Sequence, residues 1–139
     1  MYTHCRFQQV ICISITQILS FYSYLGPCRN VSSNGSTGLY IVVAPGAKAE
    51  LIVKGIVTAN SNGFAGMFSS QSQNSNLEIN VESDATLTTC ENGFDIYGSV
   101  GTSSALDFSG TGYTCDQSKV SFDGSGAGTV DEPNCQACL

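Results

Sequence analysis

Residues 61–68 read SNGFAGMF, and the same phrase returns as ENGFDIYG at 91–98 and, earlier, as SNGSTGLY at 33–40. Each copy carries Asn-Gly and reaches an apolar-aromatic step a few positions later: Leu39-Tyr40, Met67-Phe68, Ile96-Tyr97. The pairs Asn34-Gly35, Asn62-Gly63 and Asn92-Gly93 are spaced by 28 and 30 residues. Asn-Gly favours turns because both residues tolerate positive φ. One turn placed three times at one phase marks a repeat, whose units cannot bury their apolar faces alone and must stack.

The stretches between these turns have a common texture. AELIVKGIVTAN (49–60), NLEINVESDATLTTC (76–90), SALDFSGTGYTC (104–115) and KVSFDGSGAGTV (119–130) each read strand, break, strand. Apolar residues alternate along them, as in Leu51/Val53, Leu77/Ile79/Val81, Ala85/Leu87, Leu106/Phe108 and Val120/Phe122. Glu78, Asn80, Glu82, Thr86, Thr88, Asp107 and Ser121 fill the alternate positions. Period two predicts one face in and one face out. About three short strands per repeat predict one coil of a parallel β-solenoid. The pattern over residues 31–130 resembles the right-handed parallel β-helix of pectate-lyase-like proteins and surface adhesins, with three to four coils. The alternative is an antiparallel β-sandwich, which has no reason to repeat one turn at one phase. Residues 131–139 follow as a Cys-containing tail.

Only 12% of the 139 residues are charged, about half the usual share, and the chain suits one domain. The charge is uneven. All the arginines lie in residues 1–60, whereas residues 61–139 set Lys119 alone against a run of acids, for a total of −6. Such an acidic chain repels phosphate backbones, which argues against nucleic-acid binding. The apolar segment 10–26 (VICISITQILSFYSYLG) reads as a signal-like or anchor-like stretch within residues 1–30, or as first strands of the domain; a membrane role is expected only through it.

Seven cysteines with a single histidine, His4, make no convincing four-ligand zinc set. Disulfides among Cys90, Cys115, Cys135 and Cys138, and sequons at Asn30 and Asn34, point to an extracellular or cell-surface protein. Cys90 and Cys115 each end the last strand of a repeat, at TTC and YTC. Stacking would bring them within about one strand spacing, ~4.8 Å, close enough to bond. That leaves Cys135 and Cys138 to pair with each other or with Cys28.

The β-helix resemblance raises polysaccharide lyases and hydrolases, but their motifs are missing. Residues 61–139 hold no Arg and one Lys, and the Asn-Thr-Asp, Gly-His-Gly and Arg-Ile-Lys blocks of polygalacturonase-like enzymes do not occur. There is no Gly-x-Ser-x-Gly elbow and no phosphate-binding loop. No cofactor is expected. Calcium is admitted only as a weak candidate, at Asp107, Asp116 and Asp123. TLTT (86–89) supplies one rung of a hydroxyl array and TGYT (111–114) a poor second, so Thr reads as a strand former rather than an ice-binding ladder. Tyr40, Phe68 and Tyr97 are the candidate ligand-binding residues. Core packing is the favoured reading of these rings; facing outward, they would form an aromatic ladder. The leading functional expectation is a non-catalytic module for adhesion, glycan binding or structural support, with a glycan or surface protein as partner. The alternative is a fragment or degenerate form of a polysaccharide-active enzyme, the chain being part of a larger repeat array.

Overall fold

The structure, a computed structural model, describes residues 6–7, 11–15, 20–25, 28–30, 35–124 and 128–139, with side chains from Asn30 onward. Asn34 therefore lies outside the described residues, as do the side chains of Cys5, Cys12 and Cys28. Strands β5 (Thr37–Val43), β6 (Lys48–Val53) and β7 (Ile56–Thr58) make one coil. The next holds β8 (Ala65–Gln71), β9 (Asn76–Val81) and β10 (Thr86–Thr88), and a third holds β11 (Phe94–Ser99), β12 (Ala105–Gly110) and β13 (Tyr113–Thr114). Strands β1 (Arg6–Phe7), β2 (Ile11–Ile15), β3 (Ser20–Leu25) and β4 (Cys28–Asn30) precede these coils, and β14 (Val120–Asp123) and β15 (Thr129–Asp131) follow.

Equivalent strands pair in parallel, giving three five-stranded sheets along one axis. Sheet A is β1-β4-β7-β10-β13, sheet B is β2-β5-β8-β11-β14 and sheet C is β3-β6-β9-β12-β15. The molecule is a right-handed parallel β-helix, and the pairings between its strands are parallel, which removes the antiparallel sandwich. Strands β2 and β3, inside the apolar stretch 10–26, pair with β5 and β6. Among the described residues no helix is long and apolar enough to cross a membrane.

The alternation read from sequence becomes columns of like residues inside the coil. Leu39, Met67 and Ile96 stack on sheet B, Leu51, Ile79 and Phe108 on sheet C, and Val57, Leu87 and Tyr113 on sheet A, all buried. Tyr113 is the one buried phenol among the described residues, 1% exposed. Its hydroxyl donates to Ser109 O at 2.7 Å, with Ile79 O also in reach at 2.9 Å. A buried hydroxyl requires such a partner. Burial also pushes its pKa well above the ordinary tyrosine value.

The recurring Asn-Gly turns out to work differently from a simple positive-φ turn. In the two later copies the left-handed residue is the one before the pair, Ser61 (φ 58°) before Asn62-Gly63 and Glu91 (φ 61°) before Asn92-Gly93. The asparagines point inward, each 3% exposed, and bond to one another: Asn92 Oδ1 accepts from Asn62 N at 2.7 Å and from Asn62 Nδ2 at 3.0 Å. Asn92 Nδ2 in turn donates to Ala59 O at 2.9 Å and to Cys90 O at 3.1 Å. The glycines are needed for close stacking. A Cβ on Gly63 would sit 2.5 Å from Gly35 O, and one on Gly93 would sit 2.7 Å from Gly63 O. A second polar column turns the corner between sheets B and C. There Ser75 and Ser104 are buried, their hydroxyls are 3.2 Å apart, and both donate to Ser72 O. Gly46, Asn74 and Ser103 take the positive-φ position of that corner, coil after coil.

Replacing Gly63 or Gly93 with Ala should destabilise the protein by about 1–3 kcal/mol, because backbone rather than a flexible side chain blocks the added methyl. Gly35→Ala, where a Cβ meets nothing within 4 Å, should lie within about 0.5 kcal/mol of the parent. Urea-denaturation midpoints read both, and equal effects at Gly35 and Gly63 would contradict the stacking account.

Candidate functional site: the outer face of sheet B

The alternation that buries Leu39, Met67 and Ile96 sends their neighbours outward. Tyr40, Phe68 and Tyr97 occupy one register position on β5, β8 and β11 and are only half-buried. The favoured sequence reading of these rings as core is thus corrected: one residue of each apolar-aromatic step goes in, and in a strand the next must go out. The rings form a ladder. Tyr40 and Phe68 stack at 5.0 Å with an 8° interplanar angle, and Phe68 and Tyr97 follow at 5.2 Å and 45°.

Two further rings complete the strip. Phe64 packs edge-on to Phe68 at 5.6 Å and to Tyr97 at 5.7 Å, and Phe94 stacks on Tyr97 at 5.0 Å. Phe64 is 39% exposed. Sequence reasoning named neither, although the signal was there: Asn-Gly-Phe occurs in both later coils, where Ser36 stands in the first. Beside the rings runs a small polar column, Ser70, Ser99 and Asp123, in register with Val42. The Tyr97 hydroxyl donates to Asp123 Oδ2. This bond to a carboxylate, more than burial, holds the Tyr97 phenol above its ordinary pKa.

The other outer faces carry different columns. Glu50, Glu78, Asp107 and Asp131 lie in register on sheet C. Partial burial, then the neighbouring Glu50, raises the Glu78 pKa; partial burial, then Asp131, raises that of Asp107. On sheet A, Thr58, Thr88 and Thr114 align with Asn30. The hydroxyl column thus has three rungs where the sequence suggested two, Thr58 being the one not foreseen.

The three aspartates considered for calcium are not brought together. Asp107 is in the acidic column. Asp116 caps the 3-10 helix Gln117–Lys119, accepting from Ser118 N at 3.0 Å and Ser118 Oγ at 2.7 Å, which holds its carboxyl below the ordinary range. Asp123 takes the Tyr97 hydroxyl. Glu82 pairs with Lys54 at 3.6 Å, while Lys119 Nζ donates to Asn92 O at 3.2 Å. Among the described residues, Cys90, Asp95 and Cys138 have metal-ligand spacing, with their ligand atoms within 4.8 Å of one another. Both sulfurs, however, are joined in a disulfide and offer no thiolate.

All four candidate cysteines are bonded, but not as expected. The bridges are Cys90–Cys138, with Cα atoms 6.1 Å apart, and Cys115–Cys135, at 5.3 Å. The expected Cys90–Cys115 bridge fails because the two are out of register. Thr88 faces Thr114, which sets Cys115 opposite Thr89 rather than Cys90. The tail supplies both partners instead, lying beside β13 with Gln136 paired to Thr114. Of the two sequon asparagines, Asn30 ends β4 and is half-buried, while Asn34 is outside the described residues.

No protein family, curated protein or solved structure matches this chain.

Two outcomes follow. Cleavage of the non-reduced protein after Lys54 and Lys119 should leave peptide 55–119 covalently joined to peptide 120–139, and fragmentation of that species should assign Cys90 to Cys138 and Cys115 to Cys135; release of the two peptides as separate species, as a Cys90–Cys115 link requires, would overturn the assignment. The raised acids on sheet C hold protons more tightly folded than unfolded. Their stabilising contribution is full below the ordinary carboxylate range and is lost as pH rises through the raised folded values. The double variant Glu78→Gln/Asp107→Asn should therefore gain stability relative to the parent between pH 4 and pH 7, read as the shift in urea midpoint. Asp116 acts with the opposite sign, below pH 4, and is common to both proteins.

Proposed function

We propose that this chain is a non-catalytic extracellular or cell-surface β-helix module that binds glycan through the outer face of sheet B. The single observation that carries the reading is the strip of five aromatic rings held outside the core, with Tyr40, Phe68 and Tyr97 at one ring per strand spacing and Phe64 and Phe94 packed beside them. Rings left half-exposed in a continuous strip are an unusual use of apolar surface on a soluble fold, and such strips mark binding surfaces. Sugar rings present apolar C–H faces that stack on aromatic faces, and their hydroxyls can reach Ser70, Ser99 and Asp123 beside the strip. The strip runs along the solenoid axis, so it suits a linear chain lying across successive coils. The acidic charge of the molecule favours a neutral glycan over a uronate or sulfated one. Two disulfides fit an oxidising compartment.

A glycan array with the oxidised protein tests the reading. Binding to neutral linear polysaccharides is expected, and Phe68→Ala should weaken it by about tenfold, or ~1.4 kcal/mol, with Tyr40→Ala and Tyr97→Ala acting in the same sense. Binding unaffected by all three substitutions would remove the strip from the reading, and release of sugar products from any bound polysaccharide would sink its non-catalytic part.

A further inference from the structure

The tail after Pro133 is a short strap across the open edge of sheet A. Gln136 N donates to Tyr113 O at 2.8 Å, and Cys115 N donates to Gln136 O at 3.0 Å. Cys135 N donates to the Gln117 side chain at 3.3 Å. Two staples hold this strap, and each joins one core cysteine to one tail cysteine. Cys90 and Cys115 are 7% and 1% exposed, while Cys135 and Cys138 are half-exposed. Both tail cysteines and Cys115 line one cleft of about 420 Å³, together with Asp116, Gln117 and Ala137.

We infer that this cleft is a thiol–disulfide exchange site for a small dithiol reductant, and that a single two-electron reduction there opens both staples. The inference follows from three facts together. The attackable sulfurs are the two tail sulfurs, because access decides which sulfur a thiolate reaches. The buried core sulfurs are then the leaving groups. The two tail sulfurs belong to Cys135-Gln-Ala-Cys138, a spacing at which two cysteines readily bond to each other.

A thiolate of the dithiol attacks Cys138 Sγ; the Cys90–Cys138 bond breaks and Cys90 leaves as a thiolate that takes a proton from solvent. The second thiol of the reductant closes on its own mixed disulfide, releasing oxidised reductant and the Cys138 thiolate. Cys138 then attacks Cys135 Sγ, forming Cys135–Cys138 and breaking Cys115–Cys135; Cys115 leaves and is protonated. Two protein disulfides and one dithiol become one protein disulfide, two protein thiols and one oxidised dithiol. Entry at Cys135 instead passes through the mirror sequence to the same product. With neither staple left, the Gln136 backbone bonds and the Cys135–Gln117 hydrogen bond are left to hold the tail against the edge of β13, which opens more readily. Disulfides at exposed positions are the labile ones, which agrees with the half-exposure of the tail sulfurs.

The test is limited reduction of the oxidised full chain with one equivalent of dithiothreitol. Samples are quenched in acid, alkylated and mapped over all seven cysteines. The expected two-thiol product carries alkyl groups on Cys90 and Cys115 and keeps a Cys135–Cys138 disulfide, and its Gln136 and Cys115 amides lose hydrogen-exchange protection. A two-thiol product alkylated on one original pair, with the other staple intact, would overturn the inference. So would direct passage to four thiols with no two-thiol species. Cys138→Ser is the control. It keeps Cys115–Cys135, and on reduction it should be alkylated at Cys115 and Cys135 with no closed tail disulfide. The parent measurement decides the question even where that variant folds poorly.

Discussion

Everything in this molecule depends on one constraint: each residue sits one strand spacing from its counterpart in the coils above and below. Parallel pairing in register makes any side chain a neighbour of its own equivalent. A residue type that stacks well on itself can therefore recur indefinitely, and one that does not must change from coil to coil. Apolar side chains stack inside without penalty. Asparagine stacks because its amide is both donor and acceptor, so Asn92 can take two bonds from Asn62 and pass others on to the backbone. Glycine stacks because the backbones meet at the turn and leave no room for a Cβ.

The same rule explains the outer faces, where stacking does not serve the core. Aromatic rings stacked on sheet B gain from ring–ring contact, beyond the area they cover. Carboxylates stacked on sheet C oppose one another, which adds to partial burial in holding the Glu78 and Asp107 carboxyls above the ordinary range. Threonines on sheet A do neither strongly and simply suit a strand. Three sheets built by one rule thus present three chemically distinct surfaces, and among the described residues it is sheet B that carries the extended aromatic strip.

An open solenoid must also end somewhere. At the C-terminal side of sheet A the tail supplies a substitute for the next rung, with Gln136 taking the backbone bonds that another strand would take. A single rung has too few contacts to hold itself down, and the two covalent links compensate for that. This is a different use of disulfides from the coil-to-coil brace that a repeated cysteine position suggests.

The chain alone dictates the solenoid. Asn-Gly at near-constant spacing and strict alternation between the turns leave few other ways to bury Leu51, Ile79 and Phe108, because period two and a fixed repeat length are local properties written into the chain. It also contained the candidate rings Tyr40, Phe68 and Tyr97, and hinted at Phe64 and Phe94 through the repeated Asn-Gly-Phe. Phase and pairing, by contrast, are set when the coils assemble. Whether an apolar-aromatic step puts its aliphatic or its aromatic member inside depends on where the preceding corner sets the strand, and a shift of one residue reverses the answer. The same single-residue offset separates Cys90 from Cys115 and gives each a partner in the tail. The acidic column arises in the same way: Glu50, Glu78, Asp107 and Asp131 are far apart along the chain, and they become neighbours only because the coils stack in register.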